Sequence, residues 1–220
     1  MKRYKVPYNF SIKKARKIQE MISKKIIKVD DFTTPIKYIG GVDIAYSEEY
    51  AIGSWVVLRY YNLTLVDKAL SKVKIKFPYV PTLLSFREVS PAISAYLKLK
   101  IKPDISLVDG QGFLHPYRAG FASHLGIILN IPTIGVAKKL LCGKIGKWKN
   151  SWAPVIDRGE IIGAVLRTKG KPICVSIGHR VSLETSIKIV KSCIKSHRLP
   201  IPILMAHTYA TKEARMLRKH

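Results

Sequence analysis

Acidic residues are scarce in this chain. Fourteen Asp and Glu stand against 39 Lys and Arg, leaving a formal charge of +25 over 220 residues. Cysteine is scarcer still. Cys142, Cys174 and Cys193 are odd in number and far apart, which excludes a disulfide framework and gives no zinc spacing. Buried thiols in a reducing cytosol are the expectation. Long apolar runs are missing as well: the best, Leu125 to Ala137, is broken by Asn130 and Pro132, so no membrane span is expected. Met1 to Lys17 is studded with Lys and Arg and lacks the apolar core of a secretory signal. No helix combines a basic face with aromatic anchors, which speaks against a membrane surface as partner. The expectation is a cytoplasmic protein, monomeric, with no membrane association and no internal repeat.

The basic residues spread along the whole length instead of forming a tail. A polyanionic partner is the first reading of that balance, and nucleic acid fits it best. Hydrophobic residues make up 47% of the 220 positions, enough for one substantial core, so residues 1–220 are read as one domain.

Apolar periodicity predicts a helix over 11–29 with Ser11 as cap, then strands near 37–46, 52–61 and 63–75. Short polar breaks between these strands imply an antiparallel meander. A helix is expected to open at Ser90-Pro91, with Ser as cap and Pro at the first helical position. Strand 103–109, helix 118–129, strand 131–136 and a short helix near 137–142 follow. Strands near 153–157, 161–167 and 172–177 come next, then helices over 182–197 and from about Ala206. A three-strand antiparallel meander followed by parallel strands gives an α/β fold, a mixed sheet flanked by helices. This layout resembles the ribonuclease-H-like fold.

Against the general lack of acid, two carboxylates stand out. Asp109 ends the apolar run Ile105-Ser106-Leu107-Val108 and is followed at once by Gly110-Gln111-Gly112. Open α/β sheets place their ligands at such strand ends, and the glycines allow close backbone approach. Asp43 lies inside a second apolar strand, behind Gly40-Gly41. If the two strands pair in parallel, the carboxylates meet. Glu88, before the expected helix, is a weaker candidate, and capping or a local turn explains Asp104 equally well. Oxygen-only ligands suit Mg²⁺, with Mn²⁺ as substitute, and these ions also bind substrate phosphate. Lys138, just past the next strand, is expected near the same sheet edge, as a phosphate contact or a solvated lysine. His124 reads as a packed histidine. Trp148 and Trp152 flank a basic loop, where core packing is commoner than stacking on a base.

These segments together resemble the endonuclease V family. The run Asp109-Gly-Gln-Gly112 on to His115-Pro-Tyr-Arg118, beside Tyr79-Val-Pro81 and Phe86-Arg-Glu88, carries most of the likeness. Ile39-Gly-Gly-Val-Asp43, Pro132-Thr-Ile-Gly-Val-Ala-Lys138, Gly178-His-Arg-Val-Ser-Leu183 and Ala206-His207 add to it in family order. The resemblance implies a repair endonuclease that recognises deoxyinosine in damaged DNA. It would hydrolyse the second phosphodiester bond 3′ of the lesion with Mg²⁺, leaving 3′-hydroxyl and 5′-phosphate ends. Carried over by position, Asp43, Glu88 and Asp109 form the metal centre, and His207 lies close to it. Lys138 stabilises the scissile phosphate, and Tyr79 is the wedge that fills the gap left by the displaced base.

Reading a base edge buried in a duplex requires taking the base out of the stack. The base pocket is assigned to Thr82, Leu84, Gly110, Gly112 and Gly120, with the Gly110 and Gly112 N–H groups offered to the O6 of hypoxanthine. His115, Arg118, His179 and Arg180 are candidate DNA contacts, although loop-fixing roles suit them as well. One position departs from the family pattern: Thr82 stands where glycine is usual. Two rivals remain, an endoribonuclease specific for inosine in RNA and a non-catalytic nucleic-acid-binding protein of the same fold. The carboxylate trio argues against the second, because like charges brought together cost stability without a cation.

Overall fold

The computed structural model describes residues 11–217; the basic run before Ser11, and His220, lie outside the described residues. Helix α1 (Ile12–Lys25) is capped by Ser11, whose hydroxyl accepts the Lys14 amide. It stops short of the expected Val29 because the chain is pulled into other bonds. The Ile27 amide donates to His179 Nδ1, and the Ile27 carbonyl accepts the Arg180 amide.

The meander forms as expected. Strands β1 (Tyr38–Tyr46), β2 (Tyr50–Arg59) and β3 (Leu65–Lys74) pair antiparallel, with Asp43 opposite Ser54. Strand β4 (Ile105–Asp109) runs parallel to β1, and β5 (Thr133–Ala137) runs parallel to β4. Strands β6 (Lys144–Ile145), β7 (Trp152–Asp157), β8 (Glu160–Thr168) and β9 (Gly170–His179) add an antiparallel wing, joined through β9 to β5. The nine-stranded order is β3-β2-β1-β4-β5-β9-β8-β7-β6.

Alternation along the strands divides the core between the two faces of the sheet. Val42, Trp55, Val57 and Val108 pack on one face, against Ala92 of α2 (Ser85–Tyr96) and Phe121 and Leu125 of α3 (Phe121–Leu129). Ile39, Leu58 and Leu107 pack on the other, with Ile187 of α4 (Leu183–Cys193) and Ile203 of α5 (Ile201–Met216). Helix α5 sits directly on β1. A Cβ at Gly41 would lie 2.1 Å from the Pro202 carbonyl oxygen, so only glycine permits this approach.

Three further expectations need correction, and one strand was not anticipated. Helix α2 begins at Ser85, not Ser90, and carries Pro91 inside. The proline is accommodated by its surroundings: its carbonyl accepts the Ser71 hydroxyl, and the bare backbone of Gly53 leaves room for it. The segment after Ala137 forms no helix. Its Lys138 and Lys139 carbonyls are taken by Arg198 and by the Gln111 side chain. Helix α5 starts at Ile201, five residues earlier than Ala206, because Pro200 and Pro202 open it. The two-residue strand β6 carries no apolar alternation and was not expected. Cys174 and Cys193 are buried free thiols, both pushed up to about 11 by burial, as inert cysteines should be. Among the described residues, no helix is long and apolar enough to cross a membrane.

Candidate active site

Parallel pairing of β1 with β4 aligns Val42 with Val108, which puts Asp43, inside β1, beside Asp109 at the end of β4. Asp43 is only 7% exposed. From the contact at Gly41, α5 carries His207 back over the same strand end, where its Nδ1 lies 2.7 Å from Asp43 Oδ2. Donor atoms of Asp43, Asp109 and His207 all fall within 4.8 Å of one another. Lys138 leaves the end of β5 and brings its Nζ to 2.6 Å from Asp109 Oδ2.

Glu88 sits in the first turn of α2, also 7% exposed. It is not one of the three clustered donors; the Tyr46 hydroxyl donates to its Oε1 at 3.3 Å. Its charge still belongs to the cluster. Burial raises the Glu88 carboxyl well above the usual range, and the charges of Asp43 and Asp109 push it in the same direction. Asp43 is pushed up to about 6, first by burial and then by Asp109, with His207 opposing. The Tyr46 phenol is raised too, by burial and by the charge of Glu88. Three carboxylates crowded in this way stay protonated or recruit a cation. Hard oxygen donors with one imidazole fit a divalent metal ion.

The expected pocket residues come from two loops. Tyr79 is 58% exposed, in the irregular segment between Pro78 and Pro81 and just before the turn at Pro81–Thr82. Thr82 has φ +65, the left-handed region, which explains why glycine is usual in the family at this position. For a β-branched residue that conformation costs about 1–2 kcal/mol. Leu84 precedes α2 and is half-exposed. Gly110, Gly112 and Gly120 belong to the second loop, between β4 and α3.

The proposed donation from Gly110 and Gly112 is not available. The Gly110 amide bonds to the Val108 and Val136 carbonyls, and the Gly112 amide to the Ser176 hydroxyl. These glycines serve close packing instead: a Cβ at Gly112 would lie 2.1 Å from the Ile177 carbonyl oxygen, and one at Gly120 would lie 2.2 Å from that of Gln111. Beside them the Gln111 side-chain oxygen is buried with no hydrogen-bond partner.

All four candidate DNA contacts are engaged within the protein. His115 is buried, accepts the Tyr117 amide at Nδ1, and is held near a pKa of about 4 by burial. Arg118 is bound by Asp157 and Glu160. Buried His179 holds the Ile27 amide, and it lies beside Thr133, the end of β5 away from Lys138. Arg180 binds the Asp31 and Asn130 carbonyls. Asp104 is structural: its carboxylate accepts the Lys37 and Tyr38 amides and so ties the start of β1 to the entry of β4. His124 is packed against Phe86 and bonds to Ser85, and Trp148 and Trp152 pack against the core.

Sequence reasoning missed Arg16, Gln19 and Tyr117. The signal was present in part: Ala15, Gln19 and Ile22 share one helical face, so a glutamine interrupts an apolar stripe. Gln19 is fully buried there.

A mixed sheet of this order, with carboxylates gathered on neighbouring β1 and β4 where β4 ends, defines a nuclease of the ribonuclease-H-like class. The family model described as Endonuclease V matches residues 20–208. The Endonuclease V of Thermofilum pendens is 46% identical over 218 residues, covering 98% of this chain and 94% of that protein. The crystal structure of Endonuclease V from Bacillus subtilis superposes with a TM-score of 0.89 at 31% identity, covering 100% of this chain and 99% of that one. The Ciona intestinalis enzyme, solved with a 24mer DNA containing an inosine followed by a ribo-adenosine, gives a TM-score of 0.84 at 36% identity, covering 94% of this chain and 98% of that one. The chain belongs to the Endonuclease V family.

Proposed function

We propose that this endonuclease cuts DNA at deoxyinosine, hydrolysing the second phosphodiester bond 3′ of the lesion with Mg²⁺ and leaving 3′-hydroxyl and 5′-phosphate ends. The observation that carries the reading is the cluster of Asp43, Asp109 and His207, with desolvated Glu88 behind it, in a chain of this family. Asp43 and Asp109 would hold the ion, with His207 beside them. A divalent cation there supplies positive charge against the phosphate and makes water a better nucleophile.

Glu88 adds charge from behind and fixes Tyr46. His207, braced on Asp43, orients water beside the phosphate. Lys138 places its ammonium where phosphate charge builds, held in place by Asp109 until substrate arrives. Tyr79, restricted by prolines on both sides, stacks in the gap left by the displaced base. The surplus of +25 draws in the duplex.

An RNA substrate is the second reading. One observation favours it: the relative from Ciona was solved with a ribo-adenosine directly after the inosine. Nicking of matched DNA and RNA strands, each carrying one inosine, with Mg²⁺ and with chelator, decides. Metal-dependent cutting of the DNA strand is expected. Cutting of RNA alone would replace the DNA reading, and binding without cutting of either would make this a non-catalytic member of the fold.

A further inference from the structure

We propose that Arg16 is a positioning residue that acts through Thr82 to hold the loop carrying Tyr79. Arg16 Nη2 donates to Thr82 Oγ1 at 2.6 Å, and its Nη1 donates to Gln19 Oε1 at 2.7 Å. Gln19 Nε2 in turn donates to the Thr82 carbonyl at 2.7 Å and reaches the Ala119 carbonyl at 3.5 Å. The Arg16 guanidinium lies 4.0 Å from the centre of the Tyr117 ring. One arginine and one buried glutamine of α1 therefore tie together the Tyr79–Leu84 loop and the loop between β4 and α3.

This arrangement gives a reason for the residue at position 82. A threonine with positive φ persists only where its surroundings over-determine it, and here both its hydroxyl and its carbonyl are held by α1. Glycine would reach the same φ freely but would offer Arg16 no hydroxyl. The constraint passes down the chain, because the Leu83 amide bonds to the Val80 carbonyl and closes the turn that presents Tyr79. The tether thus fixes where the wedge stands before DNA arrives, which lowers the ordering cost of binding. The role assigned to the tether rests on the reading of Tyr79 as a wedge; its existence does not.

Arg16→Ala, Thr82→Val, Thr82→Ser and the double variant Arg16→Ala/Thr82→Val test it. Valine keeps the shape and β-branching of threonine and removes only the hydroxyl, whereas serine keeps the hydroxyl. The first measurement is amide hydrogen exchange across Tyr79–Leu84 in the DNA-free protein. Exchange about tenfold faster is expected for Arg16→Ala and Thr82→Val, little change for Thr82→Ser, and no additional effect in the double variant.

The second measurement is single-turnover nicking with Mg²⁺. Arg16→Ala should raise the enzyme concentration for half-maximal cutting of an inosine duplex several-fold. Its maximal rate, and its cutting of single-stranded inosine DNA, should stay within about twofold, since no flipping is needed there. Unchanged loop exchange overturns the tether whatever the nicking shows. Equal losses on duplex and single strand overturn the positioning role. Faster exchange in a protein that leaves all inosine DNA uncut overturns the proposed substrate and confirms the tether.

Discussion

His207 Nδ1 lies 2.7 Å from Asp43 Oδ2, a contact made across 164 positions of sequence. It exists because α5 rests on the bare backbone of Gly41, two residues before Asp43 in the same strand. The imidazole reaches a carboxylate that burial and Asp109 have already pushed up to about 6. The strand end is therefore unfavourable for the metal-free protein and favourable once a cation is present.

Replacing Asp43 with Asn separates these two effects. Nicking should be lost, because a hard oxygen ligand is removed. Metal-free stability should rise by on the order of 1–3 kcal/mol, because the variant no longer opposes Asp109 with a second charge. The pH dependence follows from the sign of the shift. A carboxyl raised from its ordinary value to about 6 adds stability at acid pH and loses it as pH climbs through about 6. His115 and His124, both lowered to about 4 chiefly by burial, act the other way and cost stability as pH falls below about 6.5. The difference in melting temperature between parent and Asp43→Asn, measured without metal, should thus grow from pH 4 to pH 7 as the histidine contributions cancel. Added Mg²⁺ should raise the parent's melting temperature at pH 7.5 and do little at pH 5. A parent and variant with parallel pH profiles would remove the charge-crowding account.

The contact at Gly41 has its own consequence. Alanine there would drive its Cβ into the Pro202 backbone, which has no rotamer to yield, so α5 must lift from β1. Gly41→Ala should cost on the order of 1–3 kcal/mol and reduce nicking far more than that loss of stability explains, by drawing His207 away from Asp43. Gly159→Ala is a fitting control for lost stability alone: nothing lies within 4 Å of its added carbon, and its φ of +79 makes alanine cost stability through backbone strain instead of a contact. Nicking rates measured well below both melting temperatures check the claim; a Gly41→Ala protein with full activity would show that α5 does not set the site.

Much of this centre was legible because strand-end carboxylates are rare in a basic chain. Asp43 and Asp109 each stood in an apolar run, and the meander followed by a strand–helix–strand pattern left few ways to pair them. The start of α2 was obscured by Pro91, which reads as a first helical residue but sits well inside the helix. Gly110 and Gly112 were read as letting a ligand come close, whereas the close neighbours in the fold are the protein's own Phe121 and Ile177; sequence does not reveal where an amide points, and both donors are engaged within the protein. The Arg16–Thr82 bond spans 66 positions and joins a helix to an irregular loop, so neither periodicity nor turn chemistry foretells it. Burial decided the histidines: His115 and His179 carry the sequence marks of ligand-binding residues and spend their ring nitrogens on the protein's own backbone.

The charge surplus predicts a steep salt dependence. Each phosphate neutralised by Lys or Arg releases condensed counterion, so affinity for any duplex should fall by orders of magnitude between roughly 50 and 200 mM salt. Preference for inosine over undamaged DNA should change much less, because it arises at the loops and not from the basic surface. Binding titrations of matched duplexes with and without inosine, at several salt concentrations, measure both slopes. Flat affinity across that range would mean that the +25 is not engaged by the substrate.

Tyr79 gives the most direct test of how the lesion is reached. It is 58% exposed, in an irregular segment stiffened by Pro78 and Pro81, and contributes little to the core. Tyr79→Ala should therefore leave the melting temperature nearly unchanged. If the ring stacks in the gap left by a flipped base, its loss should weaken binding to an inosine duplex by roughly 5- to 100-fold, the equivalent of about 1–3 kcal/mol. The deficit should shrink for inosine in a loose mismatch and nearly vanish in single-stranded DNA, because less stacking has to be replaced there. Phenylalanine keeps the stacking face and should restore most of the duplex binding. Single-turnover cleavage across the three substrates, for the parent and both variants, supplies the comparison. A uniform loss on all three substrates would assign Tyr79 to loop structure and leave the displaced base without a wedge.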